Sequence, residues 1–368
     1  MVQSPPGERN RLRYHGRGVC AVISPWNFPL AIPTGMTAAA LVTGNAVVLK
    51  PAEQAPATAA ELARAFNEAG LPDGVLSFLP GLGEAGAALV EHPEVQVIAF
   101  TGSRDVGLGI IESAAKRHPR RRSVPRVIAE MGGKNAVVVD DDADLDEVVP
   151  AVIRSAFGFA GQKCSAASRL IVTDRIHDAV VERVVQATKS LVIGPPRLAA
   201  SQVGPVIDAD AHQRLRQAIE RAGEVGNPVL VRNDVPEAGY FIGPAVITDV
   251  DPHSWLAAEE LFGPVLAVFR VPDFDAGLDL ANETSYALTA GVFTRSPAHV
   301  DTALETLRAG NLYVNRAITG AVVGRQPFGG NGLSGVGSKA GGPDYLLQFC
   351  DPQVTSENTV RQGFTEQD

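Results

Sequence analysis

Short, nearly continuous apolar runs recur along the chain, with room for one helix between each pair. Val19–Ile23, Ala46–Leu49, Val75–Leu79, Val95–Phe100 and Arg126–Glu130 read as strands. Between them, Ala31–Val42 is rich in small residues, and Thr58–Ala69 is closed by Gly70 and Pro72. Leu82–Val90 completes a set of three helices, and Thr101-Gly102-Ser103 opens a fourth. Strands that are apolar at almost every position are buried on both faces, so this alternation predicts a parallel sheet between two layers of helices. The pattern restarts after Met131-Gly132-Gly133. Strands are expected at Ala136–Val139, Arg169–Val172, Val265–Phe269 and Gly291–Phe293, with helices at Leu145–Phe159 and Ile176–Leu191. The expected organisation is therefore one α/β domain over residues 12–131, a second over 132–336 and a return segment over 337–368. Asp351–Gly363 is polar apart from isolated valines and reads as an edge strand or arm.

The 368 residues suit two domains of roughly 150 residues each. With 45% hydrophobic and 20% charged residues, the composition is that of a globular chain, which sets aside wholesale disorder and collagen-like repeats. Cys20, Cys164 and Cys350 are too few and too far apart for a disulfide scaffold and point to a reducing, cytoplasmic setting. The first ten residues lack the apolar stretch of a secretory signal, and no run approaches about eighteen apolar residues, so no membrane association is expected. The net charge, 32 − 41 = −9, argues against a general affinity for nucleic acid.

Candidate chemistry collects in the loops. Gly81-Leu82-Gly83-Glu84-Ala85-Gly86 reads G-x-G-x-x-G after a strand and at the start of a helix, where backbone N–H groups can meet a pyrophosphate. The same residues serve equally as tight turns packing helix on strand, and no acidic residue ends the next strand. That strand closes on Phe100-Thr101-Gly102-Ser103, where Ser103 caps a helix whose free N–H groups suit a phosphate, or is a plain N-cap. Cys164 has polar and glycine neighbours, Gly161-Gln162-Lys163-Cys164-Ser165, with Lys163 adjacent to favour a thiolate. Cys20 and Cys350 read instead as small buried hydrophobes. Glu130 ends a strand before two glycines, as a general base or as a satisfied strand-end acid. The basic run Lys116–Arg122 has no interleaved aromatics and reads as a solvated loop. The acidic run Asp140–Asp146 lacks the glycine and glutamate of a calcium loop and reads as the opening of a helix. No histidine or cysteine cluster has metal-ligand spacing, so no metal is expected.

Seven segments occur in an order that resembles the aldehyde dehydrogenase superfamily, across about Gly18 to Phe364. They are Pro25-Trp26-Asn27-Phe28-Pro29, Lys50-Pro51-Ala52-Glu53, Phe100-Thr101-Gly102-Ser103, Glu130-Met131-Gly132-Gly133-Lys134, Gly161-Gln162-Lys163-Cys164, Glu260-Leu261-Phe262-Gly263-Pro264 and Pro327-Phe328-Gly329-Gly330. Gln162-Lys163-Cys164-Ser165-Ala166 and the stretch from Thr319 to Phe328 are similar to the branch that oxidises L-glutamate γ-semialdehyde, formed from 1-pyrroline-5-carboxylate, to L-glutamate in proline catabolism. The resemblance implies a Rossmann-type NAD domain, an α/β catalytic domain and a C-terminal oligomerisation arm in which Thr355–Phe364 pairs with another subunit of a homo-oligomer.

It also implies roles for particular residues. Cys164 would attack the aldehyde, with the Asn27 amide and the Cys164 N–H receiving the oxyanion, and Glu130 would activate the hydrolytic water. Lys50 and Glu53 would hold the adenosine ribose, and a carboxylate there favours NAD over NADP. Gly102 and Ser103 would meet the pyrophosphate, Glu260 the nicotinamide ribose and Phe262 the nicotinamide, with Trp26 also on the cofactor side. Ser165 with the backbone of Gly320 and Ala321 would anchor the substrate carboxylate, and Phe28 and Phe328 would wall its aliphatic chain. Only 24 residues precede Pro25, where the family carries a long segment. A dehydrogenase for another acid semialdehyde, and an inactive truncated remnant, are the alternative readings; a CoA-acylating enzyme is disfavoured by Glu130.

Overall fold

The structure is a computed structural model that describes residues 3–360. These divide into two compact units, one made of residues 3–100, 110–128 and 343–360, the other of 101–109 and 129–342.

The chain opens with β1 (Glu8–Gly16) and then alternates. β2 (Val19–Ile23), α1 (Ala31–Val42), β3 (Ala46–Lys50), α2 (Pro56–Glu68) and β4 (Leu76–Phe78) come first. They are followed by α3 (Gly83–Glu91), β5 (Val95–Thr101), α4 (Arg104–Ala115) and β6 (Arg126–Glu130). The strands lie in the order β6-β5-β2-β3-β4, and β2 is parallel to both β3 and β5. Chain order thus reverses at β2, the arrangement of a doubly wound sheet whose ligands gather beyond the strands' carboxyl ends. Cys20, Ala21 and Val22 are wholly buried in the centre of this sheet, so Cys20 is indeed a core residue.

The second unit continues with β7 (Asn135–Val139), α5 (Leu145–Phe157), β8 (Ala167–Thr173), α6 (His177–Lys189) and α7 (Ala209–Arg221). β9 (Asn227–Val231), β10 (Ala245–Thr248), α8 (Trp255–Ala258), β11 (Val265–Val271) and α9 (Phe274–Asn282) follow. Then come β12 (Tyr286–Ala287), β13 (Thr289–Phe293), α10 (Pro297–Thr306), β14 (Asn311–Val314), β15 (Asn331–Gly332) and β16 (Gly335–Val336). The main sheet runs β14-β13-β7-β8-β11-β10-β9 and is parallel except where β9 meets β10. β7 is buried at every position, as its unbroken apolar run requires.

The helix expected to reach Phe159 stops at Phe157. A short 3-10 turn, Gly158–Gly161, follows, in which Phe159 and Ala160 adopt φ of 60° and 53°. Two consecutive non-glycine residues in the left-handed region are uncommon and mark backbone held by its surroundings. Here they turn the chain out of α5 toward Cys164.

After a 3-10 turn at Leu346–Phe349 the chain ends its described course in β17 (Cys350–Asn358). β17 pairs antiparallel with β1 over nine positions, from Glu8 opposite Asn358 to Gly16 opposite Cys350. Thr355–Asn358 of the expected arm thus face Arg11–Glu8 of the same chain along one edge, and the expected pairing with another subunit would use the other edge of β17. The rest of that segment, 361–364, lies outside the described residues. β1 left no strand signal because the ribbon is exposed on both faces, so no apolar alternation marks it. Polar contacts hold the ribbon instead. Arg17 pairs with Asp351, and Arg126 donates to the carbonyls of Gln348 at 2.9 Å and Cys350 at 3.0 Å.

Candidate active site

In the second unit, the loop from β6 to β7 places Glu130, two glycines and Lys134 in succession. A Cβ on Gly132 would collide with the Glu260 carboxylate. The Gly133 N–H donates to Glu260 Oε1 at 2.9 Å, and a Cβ on Gly133 would come within 2.9 Å of the Cys164 carbonyl oxygen. Glycine is required at both positions because a carboxylate and a backbone carbonyl close on the loop from either side.

Asn135, the first residue of β7 and only 3% exposed, ties the turn carrying Cys164 to the sheet. Its Nδ2 donates to the carbonyls of Cys164 at 2.7 Å and Ala166 at 2.8 Å, and its Oδ1 accepts the Thr289 N–H at 3.0 Å. Thr289 Oγ1 in turn donates to the Ser165 carbonyl at 3.4 Å. In the sequence, the one signal of Asn135 is an amide opening an otherwise apolar strand.

Cys164 is half-buried, and its thiol is pushed up to about 12 by burial first and then by the negative charges of Glu260 and Glu130. The backbone N–H groups of Ser165 and Cys164 oppose that rise only in part. The expectation that Lys163 favours a thiolate is therefore corrected. Lys163 Nζ lies 3.4 Å from where a Gly158 Cβ would stand, and the charged groups acting on the thiol are both carboxylates.

Burial also raises Glu130 to about 8, against the Gly330 N–H, which donates to its Oε2 at 3.3 Å, and against the nearby Lys339 ammonium. Lys339 is itself held by the carbonyls of Gly329 at 2.6 Å and Gly310 at 2.7 Å. Glu260 is raised to about 7 by burial, opposed by the Gly133 N–H and by Lys134, Arg104 and Arg214. The structure thus brings Cys164, Glu130 and Glu260 into one electrostatic cluster.

Ser103 is exposed at the head of α4 and accepts the Val106 N–H at 3.4 Å, while the Gly102 N–H donates to the Glu130 carbonyl at 3.1 Å. Arg104 lies over the Tyr286 ring at 5.1 Å. Phe262, just after Glu260, is half-buried with φ of 54°. Ser165 is buried; Gly320, at φ 82°, and Ala321 begin an exposed loop, and Phe328 is half-buried, paired through its backbone with Ala340.

In the first unit, Lys50 is buried at the end of β3, and its Nζ donates to the Pro51 carbonyl at 3.0 Å and to Glu53 Oε2 at 3.4 Å. The third glycine of the G-x-G-x-x-G segment, Gly86, lies against the Lys50 stem. Trp26 is half-buried, Asn27 buried and Phe28 exposed in the loop after β2. Among the described residues no group of three His, Cys, Asp or Glu side chains is arranged to hold a metal, and no helix is long and apolar enough to cross a membrane.

The chain is built as two α/β units, with a thiol and two carboxylates gathered in the second. The chain belongs to the aldehyde dehydrogenase family, whose model matches residues 1–355. It is 50% identical over 357 residues to 1-pyrroline-5-carboxylate dehydrogenase of Geobacillus sp. strain WCH70, covering 97% of this chain and 69% of that one. Among solved structures it resembles proline utilization A of Bdellovibrio bacteriovorus, inactivated by N-propargylglycine, with a TM-score of 0.96 and 51% identity. That match covers the whole of this chain but 38% of the other, so the chain spans little more than a third of that protein. It also resembles a Thermus 1-pyrroline-5-carboxylate dehydrogenase with bound NAD, at a TM-score of 0.95 and 46% identity over 97% of this chain and 69% of that one.

Proposed function

We propose that this chain oxidises L-glutamate γ-semialdehyde to L-glutamate with NAD, through a thioester on Cys164. The observation that carries the reading is the cluster of Cys164, Glu130 and Glu260, in a chain half identical to a relative named for this chemistry.

Cys164 Sγ attacks the aldehyde carbon, and the side-chain amide of Asn27 and the N–H of Cys164 donate to the resulting oxyanion. With the thiol near 12 and the carboxyl of Glu130 near 8, Glu130 is the group fitted to hold the proton that the thiol gives up. The hydride that leaves the hemithioacetal carbon would pass to a bound dinucleotide, giving the thioester. Glu130 passes the thiol's proton on to solvent and, again as the carboxylate, takes one from the water that hydrolyses the thioester; collapse of the tetrahedral adduct expels the thiolate, which regains a proton as the product acid ionises.

The residues present fit a dinucleotide. The bare Gly132–Gly133 backbone fixes the Glu260 carboxylate, suited to ribose hydroxyls, and the head of α4 at Ser103 offers free N–H groups to a pyrophosphate. Glu53, steadied by Lys50, accepts from ribose hydroxyls and repels a 2′-phosphate, hence NAD over NADP. Gly102, Trp26 and Phe262 complete the cofactor set. For the substrate, the Ser165 hydroxyl and the N–H groups of Gly320 and Ala321 receive the α-carboxylate, and Phe28 and Phe328 flank the aliphatic chain. The active form is a homo-oligomer working in the cytoplasm.

The substrate assignment is tested with Ser165→Ala. Its KM should rise much more for the acidic semialdehyde than for propanal; equal rises for both would overturn the carboxylate anchor.

A further inference from the structure

The second unit contains a cavity of about 470 Å³ that is separate from the Cys164 thiol. It lies among the loop before β7, the start of β8, the segment from α9 through β13, and the loop before β14. Three cations line it, Lys134, Arg169 and Arg308, and no carboxylate does. The remaining polar lining consists of hydroxyls and amides, among them Thr284, Ser285, Asn282 and Asn331.

Arg169 is fully engaged: its guanidinium donates to the carbonyls of Lys134 at 2.9 Å, Leu280 at 2.9 Å and Ala281 at 2.7 Å. Lys134 is different. It is 2% exposed, yet its ammonium donates to no acceptor and joins no ion pair among the described residues. An ammonium on a nearly buried side chain gains from an acceptor, and an anion entering the cavity would supply one.

We infer that this cavity binds a small organic anion, through a carboxylate or phosphate group held by Lys134 with Arg308 at the rim. Its volume lies within the range of small-molecule sites, roughly 300–1,000 Å³. The charged groups that face Lys134 are Arg169, Glu259 and Glu260, and burial with Arg169 holds its amine down to about 7 in spite of the two carboxylates. An anion favours the charged amine, so its binding is tighter at lower pH and takes up protons near pH 8. The site also has a route to the thiol. Asn135 and Thr289 form part of the cavity wall and are the same residues that hold the carbonyls of Cys164 and Ser165.

The test is calorimetric titration of the whole chain with inorganic phosphate and, separately, with succinate. No other carboxylate or phosphate is present, so that nothing competes for the cavity, and variants at Lys134 and Arg308 separate binding there from binding at the sites of the proposed reaction. Saturable binding of at least one probe is expected, and which probe binds distinguishes a phosphate ligand from a carboxylate one. Lys134→Met should weaken that binding at least about tenfold, the loss expected for a charge-assisted hydrogen bond. Arg308→Glu, a charge reversal at an exposed position, should weaken it in the same direction and guards against misfolding of the Lys134 variant. Absence of saturable binding by either probe, or binding unchanged in both variants, would overturn the inference. Because no turnover is read, the result is independent of whether the chain oxidises glutamate γ-semialdehyde.

Discussion

The ionisation of Cys164 can be tested without substrate or cofactor. A thiol moved from its ordinary value of 9.0 to about 12 has, at pH 8, a thiolate fraction of about 10⁻⁴ instead of about one tenth. The rarer thiolate is also the stronger nucleophile. With a Brønsted slope of ~0.45, the three-unit rise returns a factor of ~20, so alkylation should run ~40-fold slower than for an exposed cysteine. The assay is the rate of iodoacetamide modification of the cofactor-free chain between pH 7 and 10, with Cys164→Ala to subtract Cys20 and Cys350. The rate should climb about tenfold per pH unit without levelling. Removing the charge of Glu260 (Glu260→Gln) lowers the thiol's pKa, and each unit of that fall should speed alkylation by about threefold at fixed pH. A plateau below about pH 9, or slower alkylation in Glu260→Gln, would refute the view that burial and two carboxylates hold this thiol protonated.

Glu130 and Asn135 give two more predictions. A base raised to about 8 is deprotonated only above that pH, so turnover limited by thioester hydrolysis should rise through pH 8. Glu130→Gln should lose about 10²–10⁴ of the steady-state rate and should also slow the single-turnover burst of NADH in stopped flow, because the same carboxylate receives the thiol proton. Asn135→Ala strands two buried carbonyls and one N–H and should cost about 3 kcal/mol of stability, seen as a lower denaturant midpoint; an unchanged midpoint would deny that Asn135 anchors the turn.

The sheets were legible because their strands are buried on both faces, and an unbroken apolar run such as Ala136–Val139 admits few other readings. Helices were bounded by glycine and proline punctuation, and α1 falls where the small-residue stretch from Ala31 to Val42 lies. β1 was not legible, since strand patterning records burial on one face and this ribbon has none. At the site, residue types that fit the chemistry could be picked out singly, but their electrostatics could not. Lys163 is next to Cys164 in sequence, whereas Glu130 and Glu260 reach the thiol through folding, and they reverse the sign of the effect inferred from the neighbour. Lys134 stood in a quoted segment without a role, and Asn135 escaped notice, for the same reason: a lysine and an asparagine become informative only when their burial and bonding partners are known.

The central claim is tested most directly by following NADH formation from the purified chain with glutamate γ-semialdehyde and NAD, beside Cys164→Ala. The account predicts turnover that disappears in the variant. No NADH from the folded chain, or equal NADH from both proteins, would contradict it.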